Sequence, residues 1–350
     1  MDADRLARLR EKYADALGGD VHDPAMKKVV DLVFADPQRR KPPYSGIPTL
    51  LDAKMAEGLD GLDVALIGVP MDLGVTNRPG ARFGPRALRD IERIGPYHHV
   101  LKRAPFAEMT VADVGDVPFR SRFSLDMCME DIESYYRDVK AAGVRPLSVG
   151  GDHSITYPIM RALGADRPLG MVHIDAHCDT GGEYDYSKFH HGGPFRQAVL
   201  DGVLDPERCI QIGIRGSSEM IWEFSYDAGM TVLHVEDVGR MGIDAVVAKA
   251  RAVVGAGPTY VTFDVDGIDP AFTPGTGTPE VGGLTPREAQ GILRGLDGLD
   301  IVGGDVVEVA PQYDPSTNTA LTAGQILFEI LTVMVRRSPN EADGLRHSVS

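Results

Sequence analysis

Short apolar runs that are rich in β-branched residues recur along this chain from Asp63 onward, and segments with helical spacing separate them. Runs of this kind are typical of strands that are buried on both faces. Strands that alternate with helices predict one doubly wound parallel sheet with helices on both of its faces, an α/β fold. The predicted strands cover residues 64–69, 110–114, 146–149, 169–174, 208–213, 230–235, 259–263 and 300–307.

The domain organisation follows from the same alternation. No linker rich in Gly, Ser or Pro divides the chain after residue 60, so we expect a single catalytic domain over residues 61–340. Residues 1–60 are interpreted as an N-terminal extension, and residues 341–350 as a C-terminal tail. Residues 74–85 are predicted to form a loop, because Asn, Pro and Gly interrupt them. The predicted helices of the domain cover residues 125–141, 155–163, 217–228, 243–254, 286–295 and 318–336.

Charge and composition narrow the class of partner. The 350 residues carry a formal net charge of −15, which disfavours nucleic acid and anionic membranes because phosphate binding requires a basic surface. The longest apolar stretch, residues 319–335, contains Gln325 and Glu329, and it fits a core helix better than a membrane span. The three cysteines follow no disulfide or zinc spacing, and the N-terminus lacks the apolar core of a secretory signal. We therefore expect a soluble, cytoplasmic enzyme.

Histidines and aspartates follow three of the predicted strands at the point where each strand ends. The motifs are GGDHS at 150–154, DAHCD at 175–179 and DVDGID at 264–269. Ligands bind in open α/β sheets at the carboxyl ends of the strands, and alternate residues of an extended segment face the same side. Two imidazoles and four carboxylates at this edge suit a pair of divalent cations. The predicted ligands are His153, Asp175, His177, Asp179, Asp264 and Asp266.

Other interpretations of these motifs fit less well. An EF-hand loop needs Gly at its sixth position, whereas Gly267 is the fourth residue of its motif. A closed structural zinc site favours Cys and His over carboxylates. Cys178 alternates with the ligand positions and so faces away from them, which indicates a packed small hydrophobic residue. A two-metal hydrolytic site is the interpretation that the motifs favour.

Together with RPGARFGP at 78–85, TGTP at 276–279 and Glu308, the three motifs resemble the ureohydrolases, the family of arginases, agmatinases and guanidino-acid hydrolases. The resemblance spans residues 63–335, and the motif at 78–85 is similar to that of agmatinases. It implies the arginase-like α/β/α fold and a pair of divalent ions. The resemblance favours Mn²⁺, and the imidazole ligands leave Ni²⁺ as the alternative.

The resemblance also implies a role for each site residue. One ion is expected to bind His153, Asp175, Asp179 and Asp264, and the other Asp175, His177, Asp264 and Asp266, so that Asp175 and Asp264 bridge. Glu308 and Thr278 match residues that bind the substrate guanidinium. His191 matches a histidine that lines the same pocket and moves protons, and Asp179 is expected to assist the nucleophile.

Such a site suits the hydrolysis of a guanidinium, whose carbon is a poor electrophile because resonance spreads its charge over three nitrogens. Two metal ions lower the pKa of a bridging water from about 15.7 to about 7 and so supply hydroxide. Glu308 is expected to hold the planar cation over this nucleophile by charge-assisted hydrogen bonds. Collapse of the tetrahedral adduct gives urea and an amine, to which His191 supplies a proton.

Several alternatives stay open at this stage. The substrate is agmatine, a guanidino acid, free guanidine, or a substituted guanidine or biguanide. Arginine is disfavoured, because arginases have Asn two residues after the second motif and this chain has Gly181. Lys188 is a candidate partner for a substrate carboxylate. An acyl-amine deacetylase of the same fold and a partner subunit of a hetero-oligomeric ureohydrolase are the alternative functions. The resemblance implies a homo-oligomer, a trimer or a hexamer.

Overall fold

The computed structural model describes residues 2–15, 45–91, 94–216 and 219–336, together with residues 22, 27 and 30. The predicted tail at 341–350 therefore lies outside the described residues. Nine strands form one sheet in the order β1-β3-β2-β4-β9-β8-β5-β6-β7, and every neighbouring pair is parallel. These strands are β1 Lys54–Met55, β2 Val64–Val69, β3 Val111–Asp116, β4 Arg145–Gly150, β5 Leu169–Ile174, β6 Leu204–Ile214, β7 Thr231–His234, β8 Thr259–Asp264 and β9 Ile301–Val307.

Helices cover both faces of this sheet, as predicted. Val64 and Leu66 of β2 pack into a hydrophobic layer with α9, α10 and α11, whereas Ala65 and Ile67 pack into a layer with α4, α5 and α6. The central strands are mainly apolar because neither of their faces meets water. The helices are α1 Ala3–Tyr13, α2 Gly84–Arg89, α3 Pro105–Glu108, α4 Leu125–Ala141, α5 Thr156–Leu163, α6 Pro194–Leu200, α7 Glu219–Asp227, α8 Val235–Met241, α9 Ile243–Val254, α10 Pro286–Arg294 and α11 Asn318–Val333.

The sequence prediction missed the shortest elements. Helices α2, α3, α6 and α8 have four to seven residues, which is too short for a helical period to be visible. α2 begins at Gly84, inside the stretch that was predicted to be a loop. Pro85 occupies the first turn of this helix, where a missing N–H costs nothing, so proline here starts a helix rather than excluding one.

The sheet also begins before the predicted boundary at residue 61. β1 pairs with β3, and Leu50 is fully buried. The N–H of Leu50 donates to Asp113 Oδ2 at 2.9 Å, and the same carboxylate forms an ion pair with Arg89 at 2.8 Å. By contrast, α1 contains no buried residue. The last part of the predicted extension is therefore packed on the domain.

No helix among the described residues has the length and apolar character that a membrane span requires.

Four central strands end side by side at the edge of the sheet where the motifs lie. Their order in the sheet is β4, β9, β8 and β5, so the chain passes from β4 to β5 and returns later to fill the gap between them. In sheets of this kind, ligands bind at the carboxyl ends of the strands. His153 follows β4, Glu308 follows β9, Asp264 ends β8 and Asp175 follows β5.

Candidate active site

The first group of ligand-type residues surrounds His153. Its Nδ1 lies 2.9 Å from Asp179 Oδ2, 3.1 Å from Asp175 Oδ2 and 3.3 Å from Asp264 Oδ2. The imidazole is fully buried, and its Nδ1 has no partner in hydrogen-bond geometry among the described residues. Burial disfavours the imidazolium, but the three carboxylates outweigh burial and hold the pKa of His153 well above its ordinary value.

The second group surrounds His177 and shares Asp175 with the first. Nδ1 of His177 lies 3.2 Å from Asp266 Oδ2 and 3.4 Å from Asp175 Oδ1. Asp175 therefore turns one carboxylate oxygen toward His177 and the other toward His153. Two overlapping sets of nitrogen and oxygen donors meet at this residue, which is the arrangement expected for a carboxylate between two cations.

The charges of the site also fit divalent cations. Burial and the neighbouring carboxylates of Asp266 and Asp175 raise the pKa of Asp264 well above its ordinary value. Burial raises the pKa of Asp266 to about 6, although the imidazole of His177 opposes this. Like charges this close cannot all ionise without a counter-charge, and hard oxygen donors with imidazole suit Mn²⁺ and its neighbours. Each of the six predicted ligands lies within 3.4 Å of another member of the set.

Sequence reasoning missed His173, which contacts the same site. Its Nε2 lies 2.7 Å from Asp175 Oδ2, and its Nδ1 lies 3.1 Å from the side-chain nitrogen of Gln211. That amide nitrogen also donates to the carbonyl of Cys178 at 2.6 Å, which fixes the orientation of the amide because a carbonyl only accepts. Nδ1 of His173 thus accepts from the amide, and Nε2 donates to Asp175. Its place two residues before Asp175 in the same extended segment was the signal available in the sequence.

The predicted substrate residues lie beside the predicted metal ligands. Glu308 Oε1 accepts hydrogen bonds from the backbone N–H of His153 and from His191 Nδ1, both at 2.9 Å. Its Oε2 is buried and has no hydrogen-bond partner among the described residues. Burial opposes the charge on His191, but Glu308 outweighs it and raises the pKa of His191 to about 9. Thr278 Oγ1 donates to Asp266 Oδ2 at 3.2 Å.

Two of the predicted catalytic residues have a left-handed backbone. Asp179 has φ of 52° and Glu308 has φ of 65°, a region that costs a non-glycine residue on the order of 1 kcal/mol. Main-chain hydrogen bonds hold both residues, since the Glu308 N–H donates to Gly151 O at 2.9 Å and the Phe195 N–H donates to Asp179 O at 3.1 Å. Strain of this kind collects at functional sites.

Two residues in the loop after Asp179, Gly181 and Lys188, bear on the choice of substrate. A Cβ at Gly181 would lie 2.7 Å from the carbonyl oxygen of Gly192, so a side chain such as Asn does not fit there without a backbone shift. Lys188 was a candidate partner for a substrate carboxylate. Its Nζ instead lies 4.9 Å from the centre of the Phe189 ring, and it lines a cavity of about 280 Å³ against α4 and α5 that includes none of the predicted metal ligands.

The chain is similar in sequence and in fold to known proteins. Residues 62–332 match the model of the Arginase family. Guanidinopropionase of Pseudomonas aeruginosa is 50% identical over 305 residues, which cover 86% of this chain and 96% of that protein. Mitochondrial agmatinase of Gallus gallus is 46% identical, covering 83% and 86%. The solved structure of proclavaminate amidino hydrolase from Streptomyces clavuligerus has a TM-score of 0.79 and 36% identity, covering 85% and 99%. The chain belongs to the arginase family, and it is an amidinohydrolase.

Proposed function

We propose that this protein hydrolyses a small guanidino compound to urea and an amine with two divalent cations, Mn²⁺ in the first place and Ni²⁺ as the alternative. When bound, such a pair lowers the pKa of water toward neutrality and so supplies the nucleophile. One ion is held by His153, Asp175, Asp179 and Asp264, and the other by Asp175, His177, Asp264 and Asp266. Two donor groups that overlap at Asp175 support this assignment, one with His153 and Asp179 and the other with His177 and Asp266. Asp264 adjoins the first of them, 3.3 Å from His153 Nδ1.

The observation that carries the proposal is the unpartnered Oε2 of Glu308. A buried carboxylate oxygen without a donor costs free energy, and a planar guanidinium supplies both the N–H groups and the positive charge that it lacks. Gly277 lies next to this oxygen, since a Cβ there would be 3.8 Å from Oε2. A guanidinium bound to Glu308 is therefore held close to the metal ligands, which orients its carbon for attack.

The neighbouring residues handle the protons. His191 donates its Nδ1–H to Glu308, which outweighs burial and raises the pKa of the imidazole to about 9, while its Nε2 accepts from the backbone N–H of Thr76 at 3.2 Å. The raised pKa enables His191 to protonate the amine as the C–N bond breaks. Asp179 accepts a hydrogen bond from the attacking water and aligns it. Thr278 lines the same pocket through its hydrogen bond to Asp266.

The substrate class is narrowed by the relatives and by one glycine. Guanidinopropionase and guanidinobutyrase of Pseudomonas aeruginosa are 50% and 42% identical to this chain, and the agmatinase is 46% identical. Gly181 leaves no room for the side chain with which arginases bind the amino-acid end of arginine. We therefore propose a guanidino acid or agmatine rather than arginine.

We further propose a cytoplasmic homo-oligomer, a trimer or a hexamer, with a hetero-oligomer as the alternative. Three free cysteines, all buried, support a reducing compartment. The acyl-amine deacetylase alternative needs a single ion and leaves the second donor set, His177 with Asp266, without a role.

A urea assay on metal-stripped and reloaded protein tests the reaction. The panel contains 3-guanidinopropionate, 4-guanidinobutyrate, agmatine, guanidine and arginine, each with Mn²⁺ or Ni²⁺. We expect urea from at least one compound other than arginine, only after reloading, with two ions bound per chain. Asp264→Asn is expected to remove turnover and metal retention together. Two bound ions without urea from any compound would overturn the reaction, and a single ion per chain would overturn the pair.

A further inference from the structure

The ring nitrogen of His153 that faces away from the metal ligands enters a buried hydrogen-bond chain. Its Nε2 lies 2.8 Å from Thr262 Oγ1, and this hydroxyl donates to Asp305 Oδ1 at 2.6 Å. All three residues are fully buried. Thr262 and Asp305 are opposite each other in register on β8 and β9, so the sheet itself fixes the chain.

The direction of this chain follows from proton counting. The Thr262 hydroxyl has one proton, and it donates that proton to Asp305. Its oxygen is then left to accept, so Nε2 of His153 must donate to it. A neutral imidazole has one N–H, and with the proton on Nε2 the lone pair stays on Nδ1. Nδ1 is the atom that faces Asp175, Asp179 and Asp264.

Asp305 is held as an acceptor by two further hydroxyls. Its Oδ2 accepts hydrogen bonds from Thr156 Oγ1 at 2.7 Å and from Tyr260 OH at 2.9 Å. With donors on both oxygens, the carboxylate cannot rotate away from Thr262 without losing hydrogen bonds in a buried site. Thr156 and Tyr260 bind the same carboxylate on its far oxygen, and neither takes part in the chain to His153.

We propose that Thr262 and Asp305 are positioning residues of the metal site, which keep the proton of His153 on Nε2 and leave Nδ1 free to bind a cation. The inference rests on the proposed function, because it requires His153 to be a metal ligand. Groups that orient a ligating histidine through its second nitrogen typically change metal affinity by about 10- to 100-fold when they are removed.

Three variants of the full chain separate this role from a general packing role. Thr262→Val keeps the branched shape and removes the hydroxyl, Thr262→Ser keeps the hydroxyl, and Thr156→Val removes a hydroxyl from the same carboxylate at its other oxygen. The Kd for Mn²⁺ is measured by competition with a chelating dye. The melting temperature of each metal-free variant reports on the fold.

We expect Thr262→Val to raise the Kd of the tighter Mn²⁺ site by about 10- to 100-fold, while Thr262→Ser and Thr156→Val stay within about threefold of the parent protein. Urea release by Thr262→Val is expected to need more Mn²⁺ but to recover at saturation. An unchanged Kd in Thr262→Val, or an equal rise in Thr156→Val, would overturn the inference. Thr262→Ala replaces Thr262→Val if the latter does not fold. A parent protein that binds no Mn²⁺ or Ni²⁺ would instead refute the proposed function.

Discussion

At the residue scale, the two carboxylate oxygens of Glu308 differ in their hydrogen bonding, as the proposed guanidinium site requires. Oε1 accepts from His153 and His191, whereas Oε2 has no partner among the described residues. Glu308→Gln keeps an acceptor for the backbone N–H of His153 and removes the negative charge of the carboxylate. We expect urea release to fall at least about 30-fold, since the loss of one partner of a buried charge pair costs about 2 kcal/mol or more. The measurement is kcat/KM for the best substrate of the urea panel.

Metal content distinguishes this result from damage to the metal site. The Glu308→Gln protein is expected to bind both ions as the parent does, because Glu308 belongs to neither donor set. Asp264→Asn is the matched comparison, in which metal and activity disappear together. If Glu308→Gln retains full activity, guanidinium recognition by this carboxylate is wrong.

The imidazoles of the metal-free site predict proton release on metal uptake. Carboxylate neighbours outweigh burial and raise the pKa values of His153 and His177 well above 6.5, which favours a second proton on each ring, on the Nδ1 that faces the carboxylates, before a cation binds. A cation must displace these protons, and its affinity therefore falls as the pH is lowered. Calorimetric titration with Mn²⁺ at pH 7 in two buffers of different ionisation enthalpy should give about one released proton or more per ion. Heats that do not depend on the buffer would contradict the assignment.

At the element scale, the buried carboxylate of Glu329 links α11 to α10 and to His98. Glu329 Oε2 lies 2.6 Å from His98 Nε2, and its Oε1 accepts from Arg294 at 2.6 Å. Burial opposes the charge, but these two partners outweigh it and lower the pKa of Glu329. A lowered folded pKa gives stability that is complete above the unfolded value of about 4.3 and is lost as the pH falls through the folded value.

Glu329→Gln is therefore expected to lower the stability at pH 7 by about 1–3 kcal/mol, and the deficit should shrink below about pH 4. Glu130→Gln provides a control of the same chemistry on the surface. Glu130 pairs with Arg120 at 2.8 Å while 68% exposed, so its loss should change stability by less than about 1 kcal/mol at either pH. Thermal unfolding at pH 7 and below about pH 4 measures the loss of stability in each variant. A loss in Glu329→Gln that does not depend on pH would rule out the ionic contribution.

The elements also explain what the sequence was able to predict. Strands such as β2 and β5 were found because both faces are buried and the runs are apolar, apart from His173 in β5. Motif residues at strand ends were found because polar groups there interrupt that pattern. Thr262 and Asp305 lie within strands, and their contact depends on β8 pairing with β9, a neighbour relation that no local pattern encodes. Their role therefore became visible only with the sheet order.

At the scale of the whole molecule, the sheet brings together site residues that are far apart in the chain, while its edge is completed from the predicted extension. Leu50, Leu51 and Ala53 are buried in the core, and β1 pairs with β3. The described helix of the extension, α1, buries nothing. These observations predict different outcomes for two truncations.

Removal of residues 2–15 is expected to leave the melting temperature within about 2 °C and to preserve urea release, because α1 buries nothing and the candidate site residues lie between His153 and Glu308. Removal of residues 2–56 also takes away β1 and two buried leucines, which should cost about 3 kcal/mol or more. Thermal unfolding measures the stability of both truncated proteins, and the urea assay measures their activity. If the shorter deletion abolishes urea release but keeps the fold, residues 2–15 contribute to the active site or to an assembly that completes it. Equal stability of the two truncated proteins would mean that the packed segment at 50–55 does not stabilise the sheet.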